Sequence, residues 1–154
     1  MKKICILLVL SLLLSGCENK EEIKKIEYLT MMNSTFNEKN FTKEELPVDI
    51  VTTIERVNDE TINYKTAITN PKENMHDVKV MLVHNYQNED VYPTIGVFDE
   101  PGELLLDSDN DSELILTDTI NTTKNISKLG LELKLLIEYT DDLGEKKDIY
   151  YKMT

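Results

Sequence analysis

The hydrophobic pattern of the chain changes at about residue 47. Before this point, residues 4–14 form an apolar run, and residues 18–45 are polar with a stripe of apolar side chains three or four positions apart: Ile23, Ile26, Leu29, Met32 and Phe36. After it, apolar and polar residues alternate in short segments. A spacing of three or four predicts one face of a helix, whereas strict alternation predicts strands. The chain is therefore predicted to have a partly helical N-terminal part followed by a β domain.

The β domain is predicted to contain about seven strands. The alternating segments are residues 48–54, 62–68, 78–83, 91–98, 114–120, 129–139 and 149–153. Pro93 has no N–H to donate to a ladder, which places the fourth segment at a sheet edge. Leu133 and Ile137 are predicted to be buried in the most central strand, and the acidic turn that ends at Gly144 predicts a hairpin. Residues 47–154 are thus predicted to fold alone as one all-β, antiparallel sandwich.

Two clusters make this domain similar to the immunoglobulin-like or fibronectin-III-like β-sandwich domains of small Gram-positive surface lipoproteins. One runs from Ala67-Ile68-Thr69-Asn70-Pro71 into Val78-Lys79-Val80, and the other from Leu135-Leu136-Ile137-Glu138-Tyr139-Thr140-Asp141 into Gly144. Each is expected to be a neighbouring strand pair, and the resemblance covers about residues 48–153. The tryptophan and cysteine pair of true immunoglobulin domains are missing. The resemblance implies adhesion or scaffolding rather than catalysis.

The N-terminus carries an export signal. Met1-Lys2-Lys3 precedes the apolar run, which ends in Leu14-Ser15-Gly16-Cys17. The run is shorter than the roughly 20 residues that span a bilayer, and its flanks are typical of a cleaved signal. The ending resembles the lipobox of bacterial lipoproteins, whose cysteine receives a diacylglyceryl group before a peptidase cuts in front of it. The resemblance implies a signal peptide over residues 1–16, cleavage between Gly16 and Cys17, and palmitate-type chains on Cys17.

Residues 17–46 would then connect the lipid to the β domain. We interpret them as a polar, partly helical spacer, because the apolar stripe is thin and begins close to the anchor. The alternative is an amphipathic element that binds a partner or the membrane.

Charge and cysteine content narrow the classes of function. The formal charge is −12 and would become −14 after cleavage, which removes Lys2 and Lys3 but no acid. Such acidity argues against nucleic acid as a partner, because that affinity comes largely from Lys and Arg. Cys5 would leave with the signal and Cys17 would carry lipid, so disulfides, thiolate catalysis and cysteine-bound metals are excluded for the mature protein. No cofactor is expected.

The two histidines do not predict a catalytic or metal site. His76 and His84 are eight residues apart in one predicted strand, which separates them by roughly 26 Å at about 3.3 Å per residue. They are expected to lie at the surface or at strand ends.

The acidic segment around residue 107 has partial calcium-loop spacing. Asp107, Asp109 and Asp111 alternate, and Asp118 follows eleven residues after Asp107. Ser112 occupies the position where such a loop needs glycine, and strands rather than helices are predicted on both sides. We interpret the segment as a solvated turn, with a weak calcium site as the alternative.

The remaining carboxylates, such as Asp99-Glu100 and Asp141-Asp142, fall in predicted turns and are expected to be exposed with ordinary pKa values. No enzymatic activity is expected. The sequence therefore predicts a lipoprotein anchored in the cell membrane on its extracytoplasmic side, where it binds an unidentified envelope protein. The alternatives are a calcium- or ligand-binding module and an accessory subunit of a membrane transfer, exclusion or transport complex. A further alternative is that the cleaved signal acts as a peptide pheromone.

Overall fold

The protein is mostly β, with two antiparallel sheets and one long helix in a computed structural model. The structure describes residues 2–86, 91–106 and 113–153, with side chains from Lys20 onwards. The elements are α1 (Lys2–Asn37), β1 (Asp49–Asn58), β2 (Thr61–Thr69), β3 (Met75–His84), β4 (Thr94–Ile95), β5 (Gly102–Leu104), β6 (Leu114–Asn121), β7 (Leu133–Thr140) and β8 (Lys146–Met153), with a short 3₁₀ helix at Ile126–Lys128.

The strands form two sheets, which we call sheet I and sheet II. Sheet I has the order β1-β2-β6, and sheet II has the order β4-β3-β7-β8, with β5 also paired to β3. Every pairing is antiparallel. Strands β2 and β3, which the sequence suggested as a neighbouring pair, lie in different sheets.

The main core lies between the inner faces of the two sheets. Its side chains come from the alternating positions of both sheets, among them Ile62, Tyr64, Ile68, Val78, Val80, Leu82, Leu116, Ile120, Leu133, Leu135, Ile137 and Ile149. Leu133 and Ile137 are buried in β7, between β3 and β8, as predicted. The mostly β, two-sheet architecture is therefore confirmed.

Two predicted strands are shorter than the alternation suggested. The 91–98 segment contributes only the two residues of β4, which pairs with β3 at one edge of sheet II. Leu129 and Leu131 precede β7, because the 3₁₀ helix and Gly130, with a φ of 60°, occupy this part of the chain. The β7–β8 hairpin is as predicted, and Gly144 adopts the positive φ of 78° that its turn requires.

A second core lies on the outer face of sheet II. Tyr28 and Met31 of α1 are buried against Met81 and Val83 of β3 and Leu136 of β7. The central strands of sheet II are therefore apolar on both faces, and α1 covers the outer one. The packed helix adds a third layer to the two sheets. Part of residues 17–46, which we interpreted as a spacer, therefore packs on the β domain. The domain boundary at residue 47 stays a prediction.

The second core makes a stability prediction at Leu136. Leu136→Ala is expected to lower the free energy of unfolding by about 2–5 kcal/mol, because the side chain is fully buried under α1. The control is Leu143→Ala, whose side chain is 83% exposed and whose loss is expected to cost no more than about 0.5 kcal/mol. Urea unfolding of the two variants measures the difference. Equal, small costs would show that nothing covers the outer face of sheet II.

Candidate functional site

The helix–sheet junction is the part of the molecule that connects the expected anchor to the β domain. We use this name for the contact of residues 24–38, which comprise the C-terminal part of α1 and the residue after it, with the outer face of sheet II. Gly16 and Cys17 lie within the helical backbone of α1, and their side chains are outside the described residues, so lipidation stays a prediction. None of the helices formed by the described residues is both long enough and apolar enough to cross a membrane.

The C-terminal end of α1 is held by hydrogen bonds from sheet II. The Lys134 ammonium donates to the carbonyl oxygens of Phe36, at 2.7 Å, and Glu38, at 3.1 Å. These carbonyls belong to the last turn of the helix and the residue after it, where a positive charge also stabilises the helix dipole. The hydroxyls of Ser34 and Tyr150 are 2.5 Å apart. The end of the helix is thus fixed in position on β7 and β8.

Further polar contacts hold the earlier part of the junction. Lys24 donates to the Phe98 carbonyl at 2.9 Å, and Glu27 forms an ion pair with Lys79 of β3. The Tyr28 and Phe98 rings lie 5.4 Å apart. Because these contacts and the Lys134 bonds lie at opposite ends of the apolar contact, they limit rotation of the helix on the sheet.

The apolar stripe predicted as one helix face is divided in the structure. Met32 and Phe36 pack beside the second core, whereas Ile23, Ile26 and Leu29 are 56%, 59% and 41% exposed. The side chains that the helix buries most deeply are Tyr28, Met31 and Thr35. The helix that the spacing predicted is present, and the last two residues of its stripe, but not the first three, are partly buried.

A charged hollow of about 330 Å³ lies on the outer face of sheet II. Its lining includes Asp77, Lys79, Glu138, Lys146 and Asp148. Burial, followed by the nearby carboxylate of Asp148, raises the pKa of Glu138. The mixture of signs favours neither a purely anionic nor a purely cationic ligand. Among the side chains that the structure describes, no three His, Cys, Asp or Glu residues are grouped so that they could hold a metal ion.

His76 is partly exposed and paired with two carboxylates. Its Nε2 lies 3.0 Å from Asp142 Oδ1, and its Nδ1 lies 3.5 Å from Glu103 Oε1. Asn74 also donates to Asp142, at 3.0 Å. The hydrogen bond to Asp142, followed by that to Glu103, raises the pKa of His76. The surface location predicted for this histidine is confirmed.

His84 ends β3 as predicted, but it is buried rather than at the surface. Its ring lies 5.7 Å from the Tyr64 ring and 5.0 Å from the Tyr92 ring, edge to face with both. Nδ1 accepts a hydrogen bond from the Tyr86 N–H at 3.2 Å, and Nε2 has no partner among the described residues. Burial lowers the pKa of His84, and the Asp118 carboxylate acts in the opposite direction.

Asp141 also differs from the exposed turn carboxylate that was expected. It is buried, and its Oδ1 accepts from the N–H groups of Leu143 and Glu145, each at 2.9 Å. Lys147 lies 3.1 Å from its other oxygen. The Glu145 N–H bond, followed by Lys147, lowers the pKa of Asp141. This carboxylate organises the β7–β8 turn.

The structure leaves the calcium alternative at residue 107 open. Asp107, Asp109 and Asp111 are outside the described residues. Asp118 lies within β6, where its Oδ2 accepts from the Tyr64 hydroxyl at 3.4 Å and its Oδ1 accepts from the Thr119 N–H at 2.7 Å.

Comparisons with known proteins add little. No protein-family model and no curated protein matches the chain. Among solved structures, it is similar to the sporulation control protein Spo0M from Bacillus subtilis, with 14% sequence identity and a TM-score of 0.28. The match covers 71% of this chain and 49% of that protein, so the chain aligns with about half of its length. A similarity at this level assigns no function.

The two histidines are expected to have opposite effects on stability as pH changes. The pKa of His84 is lowered from its ordinary 6.5, so the proton binds more tightly to the unfolded chain than to the folded protein. His84 therefore makes the folded state less stable as pH falls below about 6.5. Because the pKa of His76 is raised from 6.5, its contribution is present below about pH 6.5 and is lost as pH rises through the raised pKa.

Urea unfolding at pH 5 to 8 tests this pair. His84→Phe, which keeps an aromatic ring in the site, is expected to reduce the loss of stability in acid. His76→Asn is expected to increase that loss, because the favourable protonation is removed. Identical pH profiles for both variants and the unsubstituted protein would contradict the burial of His84 and the pairing of His76.

Proposed function

We propose that the protein is a lipid-anchored extracytoplasmic lipoprotein whose β domain binds an envelope protein. The observation that carries the proposal is Leu14-Ser15-Gly16-Cys17 at the end of an apolar run that follows two lysines. Two acyl chains on Cys17 would hold the protein durably, since each buried methylene contributes about 0.8 kcal/mol and one chain alone binds only marginally. Signal cleavage would leave Cys17 as the first residue of the mature protein.

The order of the strands supports an immunoglobulin-like arrangement for the β domain. In the strand lettering of that fold, β1-β2-β6 corresponds to A-B-E, and β4-β3-β7-β8 corresponds to C′-C-F-G. Domains of this architecture serve many functions, so the order supports a fold and no particular partner.

The outer face of sheet I is the surface that we propose for the partner. Val51, Ala67 and Ile115 are directly paired across β1, β2 and β6, and Val51 and Ile115 are 56% and 43% exposed. This row is uncharged in a chain in which 30% of residues are charged, and interface centres are depleted in charge. Since α1 covers part of the outer face of sheet II, we place the partner on sheet I. A protein interface of standard size buries about 800 Å² of the surface of each partner.

The anchor is tested by labelling with a fatty-acid probe in cells. Cys17→Ala is expected to abolish labelling and to leave the signal uncut, because the thiol that receives the diacylglyceryl group is gone. Cys5→Ala is the matched control and is expected to be labelled normally, since Cys5 lies within the signal. Labelling of Cys17→Ala at the level of the unsubstituted protein would refute the anchor.

The binding surface is tested by crosslinking the lipidated protein in its native membrane. Val51→Arg combined with Ile115→Arg is expected to remove the crosslinked partner, because two charges would enter the centre of the contact. Leu143→Arg, at an exposed turn position, is the control and is expected to keep it. A crosslink unaffected by the double substitution would place the partner on another surface.

A further inference from the structure

Helix α1 also carries apolar side chains that are exposed and belong to neither core. They are Ile23, Ile26 and Leu29, which we call the outer ridge. At about 100° per residue, Ile26 and Leu29 lie roughly 140–160° around the helix axis from the buried Met31. Ile26 and Leu29 therefore lie on the side of the helix that is turned away from sheet II, and the exposed Ile23, about 80° from Met31, lies at the edge of that side.

The outer ridge is close to the proposed lipid. Ile23, Ile26 and Leu29 follow Cys17 by six, nine and twelve residues, which corresponds to about 9, 14 and 18 Å along a helix. A helix fixed at Cys17 and docked on the sheet from Lys24 onwards has little freedom to move these side chains away from the bilayer surface.

The distribution of charge also directs α1 towards the membrane. Residues 17–37 contain three lysines and four glutamates, whereas residues 38–154 contain 12 basic and 25 acidic residues. Around the outer ridge, the exposed Lys20 and Lys25 offset Glu21 and Glu22. An anionic bilayer repels the acidic β domain within a Debye length but has little electrostatic effect on the nearly neutral helix.

We propose that the outer ridge inserts into the interface of the bilayer that holds the Cys17 lipid, with α1 lying along the membrane and sheet I facing away from it. The inference rests on the proposed lipid anchor. The acyl chains supply the affinity, and the ridge supplies the orientation, because a helix with an apolar side at the surface buries that side at the level of the headgroup and acyl boundary.

The absence of tryptophan from the chain makes this placement measurable. Ile26→Trp and Leu29→Trp each introduce a single fluorescent probe on the outer ridge. Val57→Trp introduces a control at an exposed position of β1, which belongs to sheet I and therefore lies on the other side of sheet II from α1. The lipidated mature chain, residues 17–154, is reconstituted in vesicles of zwitterionic and anionic phospholipid, with or without bromine on the acyl chains.

The two ridge probes are expected to emit at shorter wavelength in vesicles than in a Cys17→Ser chain produced without residues 1–16, which has neither lipid nor signal, and to lose most of their emission with brominated lipid. The control is expected to change in neither respect. Mass spectrometry of the same samples separates the two ways to fail. A chain without the diacylglyceryl group would overturn the proposed function and this inference with it, whereas a lipidated chain with ridge emission equal to the control would overturn the inference alone.

Discussion

The structure depends on the packing of α1 against sheet II. Strands β3 and β7 carry apolar side chains on both faces, and those of the outer face (Met81, Val83 and Leu136) are fully or almost fully buried. Leaving such side chains in water would cost about 1.5–3 kcal/mol each. Covering them constrains where the helix lies, and through the helix it constrains the position of Cys17. The same contact that completes the fold therefore connects the expected anchor rigidly to the β domain.

The sequence predicted the inner faces of the sheets well because their burial follows a strict period of two. Val78, Val80 and Leu82 of β3 lie in the main core, and Met81 and Val83 lie on the opposite face, as the alternation indicated. That second set was itself a signal of the third layer, since a strand that is apolar on both sides needs a cover on both. The covering element could not be read from α1, because its buried positions include Thr35 and its exposed positions include Ile23 and Ile26. The positions of the apolar residues in α1 therefore indicate a different face of the helix from the one that is buried.

The local chemistry of the site was harder to predict than the sheets. The sequence placed the two histidines at opposite ends of one strand, which is correct, but it could not distinguish their environments. His84 is at an inward position of β3 between Tyr64 and Tyr92, whereas His76 lies beside a bulge, where Asp142 and Glu103 from other parts of the chain approach it. Similarly, Lys134 holds the end of α1 although nothing in its neighbourhood in sequence indicates this contact. Such roles depend on pairings between distant segments, for which a single sequence carries no local pattern.

Amide hydrogen exchange of the mature chain, residues 17–154, reports on whether α1 is docked on sheet II. Exchange reports the free energy of local opening, which is near zero for a frayed or detached helix and approaches the global value for a packed one. With α1 docked on sheet II, we expect the amides from Tyr28 to Phe36 to exchange nearly as slowly as those of β7. Exchange in this segment at the rate of an unstructured peptide, with β7 still protected, would contradict the docking.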